Sequence, residues 1–175
     1  MKLKSVLLTA VFVFAITPFA MAENAKDLFY QGLNVEKKGD YTQASQLYEQ
    51  SCKSNYAYSC YNLGLLYYNG QGVKQNHSKA VNLFKQACNG GDTKGCYNLG
   101  ILYDKGHDVK QNHAQSAKFY EKACNGGLAE ACFNLGGSYG KGQGVKQSHS
   151  TAKEYYGKAC NLGLQQGCDV YKQLD

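Results

Sequence analysis

Apolar and polar positions along most of this chain follow a helical period and recur every 36 residues. Three consecutive blocks, 57–92, 93–128 and 129–164, align at this period without a gap. In each block a leucine precedes a tyrosine by four residues, a spacing that predicts a helix with one buried face. These pairs are Leu63 and Tyr67, Leu99 and Tyr103, and Leu135 and Tyr139.

Each block also predicts a second helix after a glycine-containing turn. Asn76, Asn112 and Ser148 follow these turns, and their side chains are good N-caps for a helix. We call the two helices of a block helix A and helix B. The inner face of helix B repeats a pattern of a small, an aromatic and a small residue: Ala80, Phe84 and Ala87; Ser116, Tyr120 and Ala123; Ala152, Tyr156 and Ala159.

The repeats extend over nearly the whole chain. Residues 25–56 predict a shorter version of the same unit, and residues 165–175 predict a single polar capping helix. A cap of this kind covers the apolar face that the last repeat of a stack would otherwise expose. The prediction for residues 23–175 is therefore one all-α solenoid of stacked helix pairs.

The first 22 residues have the pattern of a secretory signal peptide. Lys2 and Lys4 precede an apolar run over 6–16, and Ala20-Met21-Ala22 has the small-x-small pattern of a cleavage site. The run is shorter than the roughly 20 residues that a membrane-spanning helix needs. We therefore expect cleavage after Ala22, no membrane segment in the mature chain, and a periplasmic or secreted protein.

Eight cysteines form four pairs whose members are eight positions apart. In one straight helix such residues would be about 12 Å apart, beyond the roughly 7 Å between Cα atoms that a disulfide allows. The chain must therefore reverse within each pair, and three of the four pairs contain glycines there: Gly90-Gly91, Gly126-Gly127 and Gly163. The predicted bridges join the end of helix B to the start of the next helix A: Cys52–Cys60, Cys88–Cys96, Cys124–Cys132 and Cys160–Cys168.

Redox and metal sites are the alternative use of these cysteines. Thioredoxin-like sites and structural zinc sites favour two to four residues between cysteines, which this spacing does not provide. His77, His113 and His149 recur once per repeat, about a helix pair apart and too far for one ion. We therefore predict solvated histidines, no metal and no cofactor.

The charge of the chain argues against nucleic acid as a partner. The formal net charge is +6, and it falls to +4 when Lys2 and Lys4 are removed (6 − 2 = 4). All basic residues are lysines, whereas nucleic-acid readers rely on arginine for bidentate contacts. The lysines are mixed with acidic residues along the chain, so a solvated surface is favoured over a basic patch for a glycan or membrane.

The Leu-Gly-x-x-Tyr segment, the Gly-x-Gly-Val turn and the Lys-Ala pair of helix B resemble the Sel1-like branch of the tetratricopeptide superfamily. Two cysteines per repeat behind a signal peptide resemble, more narrowly, the Helicobacter cysteine-rich proteins. The resemblance implies a right-handed α/α solenoid that presents binding surfaces. It also implies a weak β-lactamase or penicillin-binding activity, the label of that family.

The residues themselves give little support to a hydrolase. Ser138 and Ser150 each begin a Ser-x-x-Lys tetrad, as in β-lactamases, but the accompanying Lys-Thr-Gly is absent. Both serines occupy ordinary repeat positions, so no catalytic residue is assigned. Whether the chain is an enzyme stays open, with a non-enzymatic role favoured.

A groove along the A helices is the better candidate site. By analogy with tetratricopeptide grooves, we expect it to bind a protein, an extended peptide or a peptidoglycan fragment, with Lys26, Lys94, Lys105 and Lys141 as a positive rim. Asparagine amides can pair with a peptide backbone, although packing between repeats would also explain them, and a structural spacer is a third possibility. The predicted groove residues are Phe29, Tyr61, Asn62, Leu65, Tyr97, Asn98, Ile101, Phe133 and Asn134.

Overall fold

A computed structural model of the chain describes residues 18–174, with side chains described from residue 24 onward. The signal peptide predicted for residues 1–22 lies outside the residues whose side chains are described. Within the described part of the chain, all regular secondary structure is helical. The predicted all-α class is therefore confirmed.

The described residues form helix pairs that pack in chain order, followed by a single helix. The A helices are α1, α3, α5 and α7, the B helices are α2, α4, α6 and α8, and each helix packs mainly on its neighbours in sequence. This arrangement is a solenoid. The bounds are α1 Pro18–Lys37, α2 Tyr41–Lys53, α3 Ala57–Asn69, α4 His77–Asn89, α5 Thr93–Lys105, α6 His113–Asn125, α7 Ala129–Lys141, α8 His149–Asn161 and α9 Gln165–Gln173.

Side-chain caps begin the B helices where the sequence predicts them. The Asn76 side chain accepts a hydrogen bond from the Lys79 backbone N–H, and Asn112 accepts one from Gln115 in the same way. Ser148 does so for Thr151. These bonds satisfy N–H groups that a helix start leaves unpaired, so the boundaries of the B helices follow from local sequence.

A glycine on each helix A lets helix B approach closely. At Gly100 an added Cβ would lie 2.5 Å from the Tyr120 ring, and at Gly64 it would lie 2.7 Å from the Phe84 ring. Real Cβ atoms do not come so close, so only glycine allows this helix separation. The rings of Phe84 and Tyr120 are buried in the resulting core.

Four disulfides tie the end of each helix B to the start of the next helix A. They join Cys52 to Cys60, Cys88 to Cys96, Cys124 to Cys132 and Cys160 to Cys168, with Cα–Cα distances of 4.5–4.8 Å. The reversal comes from left-handed residues inside the pairs, such as Gly91 at φ +92°. The bridges therefore connect successive repeats instead of closing a single repeat on itself.

Non-reducing peptide mapping by mass spectrometry is expected to recover these four pairs and no free thiol. The geometry favours them because each pair spans one tight turn. A bridge between corresponding cysteines of two repeats, such as Cys60 with Cys96, would contradict this arrangement. Removing one pair, as Cys88→Ser with Cys96→Ser, should lower the free energy of unfolding by about 2.5 kcal/mol, the chain-entropy value for so short a loop.

Two glycine substitutions in equivalent helices should have opposite effects on stability. Gly100→Ala forces a methyl group against Tyr120 and should lower the free energy of unfolding by about 1–3 kcal/mol. At Gly137 of α7 the nearest atom to an added Cβ is the Tyr156 hydroxyl oxygen, 3.7 Å away.

Gly137→Ala should therefore raise stability by about 0.5–1 kcal/mol, the helix preference for alanine. Urea unfolding of both variants measures the difference. Equal effects at the two positions would show that the close contact at Gly100 does not set the helix separation.

Candidate binding groove

The aromatic residues predicted for the groove lie on the A helices and pack on the rings of the B helices. The ring centroids of Tyr97 and Tyr120 are 5.9 Å apart, and those of Phe133 and Tyr156 are 5.2 Å apart. Phe29 with Tyr48 and Tyr61 with Phe84 repeat the contact at 6.1 Å and 5.9 Å. The A-helix rings are half-buried. Part of each A-helix ring is therefore packed in the core, and the exposed part forms the floor of the groove.

The asparagines of the A helices connect neighbouring repeats. The Asn98 amide faces the Tyr61 hydroxyl of the preceding repeat, and the Asn62 amide faces that of Tyr48. Asn134 faces two hydroxyls, those of Tyr97 and Tyr120. A side-chain amide has two donor protons and an acceptor oxygen. The asparagines are therefore placed to brace neighbouring repeats and can also contact a ligand.

A large opening on the A-helix surface lies where the third repeat departs from the repeat pattern. We call it the third-repeat cavity; its volume is about 510 Å³. Gly137 stands in it where the other repeats carry Leu65 and Ile101, so a whole side chain is missing from the wall. The cavity is lined by Tyr97, Ile101, Asp104, Lys105, Tyr120, Phe133, Asn134, Gly137, Ser138, Lys141, Gln143 and Tyr156.

A smaller and more apolar cavity lies between the second and third A helices. Its volume is about 250 Å³, and it brings together Leu65, Asn98 and Ile101 of the predicted groove set with Phe84 and Leu102 beneath them. Phe29, Tyr61 and Asn62 line neither of these two openings. The predicted groove residues therefore do not all line an opening. Those that do lie on the A helices from α3 to α7.

Positive charge predominates at the third-repeat cavity. Lys105 and Lys141 are exposed at its wall, and among the described residues neither lies within 4 Å of a carboxylate. The one carboxylate of the wall, Asp104, lies 3.0 Å from Nδ1 of His113. The predicted rim lysines Lys26 and Lys94 are exposed but do not line the cavity. The sequence analysis did not predict the His113–Asp104 pair or the helix-B rings of the floor.

Two of the three repeat histidines are paired with a carboxylate, although their side chains are about a third exposed. Besides His113, His77 has its Nδ1 2.6 Å from Asp108, and its ring stacks on Tyr68 with centroids 4.8 Å apart. Asp108 comes from the turn of the next repeat, 31 residues later, which folds over the start of α4. A sequence pattern within one repeat cannot reveal that contact. His149 is exposed, as expected.

Among the described residues, no helix combines the length and apolar character that crossing a bilayer requires. Within the same part of the chain, no three histidine, cysteine or acidic side chains converge in a way that could hold a metal ion.

Stacked helix pairs, glycine-dependent packing and a groove along the A helices define this protein as an α-solenoid repeat protein. The Sel1 repeat family matches residues 18–56, 57–92, 93–128 and 129–164. Because these segments cover most of the chain, the protein belongs to the Sel1 repeat family.

Solved structures of bacterial repeat proteins have the same fold. The protective antigen c5321 of uropathogenic Escherichia coli superposes with a TM-score of 0.78 at 29% identity, covering 87% of this chain and 34% of the antigen. A Sel1 repeat protein of Oxalobacter formigenes gives a TM-score of 0.81 at 25% identity over 89% of this chain and 65% of its own. The cysteine-rich protein HcpB of Helicobacter pylori gives 0.59 at 28% identity over 75% and 98%.

Curated relatives match a shorter stretch. HcpC of Helicobacter pylori strain J99, which carries β-lactamase as a provisional name, is 42% identical over 57 residues. That match covers 32% of this chain and 20% of HcpC. The matched stretch is therefore about a fifth of that relative's length. It shows that the repeats are related, and it does not assign the activity of HcpC to this chain.

Alkaline pH is expected to destabilise the solenoid through its floor tyrosines. Burial raises the pKa of Tyr120 to about 12, and burial also raises the pKa of Tyr61 and of Tyr97 above the ordinary 10.0. The unfolded chain loses these protons first, so the free energy of unfolding falls as pH rises from about 10 towards 12.

Tyrosine absorbance and helical circular dichroism, followed together in one rapid titration, test this. The last tyrosines to ionise should do so together with the loss of helix. Complete tyrosine ionisation with full helical signal would show that these hydroxyls are not held in the folded interior.

Proposed function

We propose that this protein is an extracytoplasmic binding scaffold whose A-helix groove holds an extended peptide segment bearing a carboxylate. Solenoid repeats present extended surfaces of this kind for binding. Disulfides persist in oxidising compartments outside the cytoplasm, and the four bridges fit the export expected from the first 22 residues. Periplasmic and secreted locations are equally compatible with these features.

The third-repeat cavity carries the proposal. Its floor is aromatic, the Asn134 amide can both donate and accept hydrogen bonds, and two exposed lysines without an ion-pair partner among the described residues stand at the wall. Because the lining has two lysines, Lys105 and Lys141, and one carboxylate, Asp104, its charge favours an anion. A peptide whose carboxylate lies at the lysines and whose apolar side chain lies over the rings would use all three features.

Hydrolysis of β-lactams has weaker support. Ser138 is buried, and its hydroxyl donates to the Asn134 carbonyl oxygen of its own helix at 3.1 Å. Ser150 Oγ lies 3.1 Å from Ser148 Oγ, the N-cap of α8. A serine nucleophile needs an adjacent base, whereas these contacts serve the helices. We therefore favour a binding scaffold over a hydrolase or an inert spacer.

A peptide array probed with the oxidised protein should show preference for free carboxyl termini or acidic side chains over amidated counterparts. Muropeptides with free carboxylates and their amidated counterparts, printed on the same array, distinguish a cell-wall fragment from a protein segment. Gly137→Leu restores the side chain that the other repeats carry and narrows the cavity at its wall. It should abolish binding while the thermal unfolding temperature is kept or raised. Full binding by Gly137→Leu would exclude this cavity as the site.

Charge and amide substitutions should then follow a defined order for the best peptide. Asn134→Ala and Tyr97→Ala in the third-repeat cavity, and Asn98→Ala in the neighbouring cavity of the groove, should each cost about 1–3 kcal/mol of binding, the penalty for leaving a buried polar group unpaired. Lys105→Ala should cost about 0–1 kcal/mol, and this loss should shrink at high salt because the charge is exposed.

Lys118→Ala and Lys122→Ala are matched controls, since they remove the same charge from exposed positions of α6. Calorimetric titration gives the affinities, and circular dichroism checks the fold of each variant. Loss of affinity in the α6 variants, with undiminished affinity in Asn98→Ala and Tyr97→Ala, would place the site on the B-helix surface.

A further inference from the structure

The smaller opening of the A-helix surface, between α3 and α5, adjoins the third-repeat cavity. We call it the apolar cavity; it is lined by Leu65, Tyr68, Asn69, Phe84, Asn98, Ile101 and Leu102. Ile101 also lines the third-repeat cavity. A single residue is therefore shared by the walls of both openings, and a ligand bound in one can extend into the other.

One position of the repeat sets the width of both openings. Successive A helices carry Leu33, Leu65, Ile101 and Gly137 at this position. The apolar cavity has branched side chains there, Leu65 and Ile101, and a volume of about 250 Å³. The third-repeat cavity has Ile101 and Gly137 there and a volume of about 510 Å³. The groove thus has a narrow compartment next to a wide one.

The two compartments differ in charge. Among the described residues that line the apolar cavity, none is charged, and its innermost members, Phe84 and Leu102, are buried. The wide compartment instead has the exposed lysines Lys105 and Lys141 at its wall. An apolar group is therefore favoured in the narrow compartment and an anion in the wide one.

The apolar cavity has the size of a large apolar side chain. A cavity of roughly 150 Å³ lined by leucine, isoleucine and phenylalanine stays dry and binds benzene. At about 250 Å³ the apolar cavity has room for the side chain of leucine, methionine or phenylalanine. A methyl group would leave most of this volume unfilled, so the cavity distinguishes large apolar side chains from small ones.

The spacing of the compartments matches side chains on one face of an extended peptide. Packed helices lie about 8–10 Å apart, so successive gaps between A helices are offset by about that distance. Side chains two residues apart in a strand are about 7 Å apart on one face. In a polyproline II segment the corresponding step is three residues and about 9 Å. A ligand side chain in the apolar cavity is therefore two or three residues from the group in the wide compartment.

A peptide terminus fits the wide compartment better than an internal acidic residue does. The floor of this compartment includes the rings of Tyr97 and Phe133, and its wall includes Lys105 and Lys141. A carboxyl-terminal residue with an apolar side chain offers that side chain to the rings and its carboxylate to the lysines at one place. An internal aspartate or glutamate offers the carboxylate alone.

We propose that the groove binds the carboxyl terminus of a partner protein that has a large apolar residue two or three positions before its apolar last residue. This inference rests on the carboxylate-binding groove proposed above and adds the kind of partner and its sequence preference. Peptidoglycan stem peptides also end in carboxylates, but their side chains are methyl groups or chains that end in a charged or amide group. They leave the apolar cavity unfilled, so it selects a protein terminus over a cell-wall fragment.

A leucine scan of labelled peptides tests the proposal. The probes are fluorescein-labelled hexapeptides with a fixed carboxyl-terminal valine and serine elsewhere, in which one upstream serine at a time is replaced by leucine. Fluorescence anisotropy with the disulfide-bonded protein gives the affinities. Leucine two or three positions before the end should tighten binding at least about tenfold, the effect of filling an apolar pocket. Leucine at the other positions should have little effect.

The chemistry of the preferred side chain is tested at the position that the scan identifies. Methionine and phenylalanine should bind about as well as leucine there, whereas alanine and lysine should bind at least about tenfold more weakly. A muropeptide with free carboxylates, used as an unlabelled competitor, should also bind at least about tenfold more weakly than the leucine peptide.

Substitutions at Leu65 test the apolar cavity separately, because Leu65 does not line the third-repeat cavity. Leu65→Ala should weaken binding of the leucine peptide about fivefold or more and leave the all-serine peptide unchanged. Leu65→Met, of similar volume, should keep the preference for leucine. Leu33→Ala is the matched control, since Leu33 has the same repeat position and lines neither cavity. Circular dichroism checks that each variant is folded.

The outcomes separate this inference from the groove on which it rests. A preference for free over amidated peptides without any preference for leucine would overturn the inference and leave the carboxylate-binding groove in place. No preference for the free carboxylate would count against the groove itself. Equal affinity for the muropeptide would assign the groove to a cell-wall fragment. A leucine preference that persists in folded Leu65→Ala would also overturn the inference, because the side chain would then lie elsewhere.

Discussion

The close contact between a glycine of helix A and an aromatic ring of helix B sets the geometry of every repeat. A Cβ at any of these glycines would meet the opposing ring at 2.5 to 3.0 Å, so a larger residue would force the two helices apart. The same helix-B ring, buried in the first three repeats and half-buried at Tyr156, supports the half-buried ring of helix A beside it and thereby carries the floor of the groove. The contacts are Gly32 with Tyr48, Gly64 with Phe84, Gly100 with Tyr120, and Gly136 with Tyr156.

Helices held this closely by small residues enclose a narrow core. Most of its fully buried members are alanine, cysteine and leucine, and large buried rings are confined to the glycine contacts. A core of this kind stabilises a chain less than a broad globular one would. The disulfides add stability at the turns between repeats, where short glycine-containing segments would otherwise be free to open. The two features therefore complement each other. The glycine contacts fix the pairing of the two helices within a repeat, and the bridges fix the stacking of one repeat on the next.

The asparagine positions show how one residue can serve both stacking and recognition. Each amide faces a tyrosine hydroxyl of the preceding repeat, which restricts its orientation before a ligand arrives. A side chain held in place loses less entropy on binding than a free one. Where the pattern is broken, at Gly137 and at Tyr30, the surface changes from this regular ladder to a cavity and to an exposed aromatic ring. The departures from the repeat, more than the repeat itself, distinguish this solenoid from a uniform spacer.

The sequence by itself determined the features that depend on neighbours in the chain. Helix starts at Asn76 and Asn112, the helix-ending glycines and the cysteine pairs are local, because caps, turns and disulfides across one turn involve residues a few positions apart. The tertiary structure decided what depends on residues far apart in the chain. The His77–Asp108 pair spans two repeats, and the cavity at Gly137 exists only because walls from α5 to α8 surround the missing side chain. Periodicity reports which face of a helix is buried, but not which side chains of other repeats stand opposite it, since that depends on how the repeats stack.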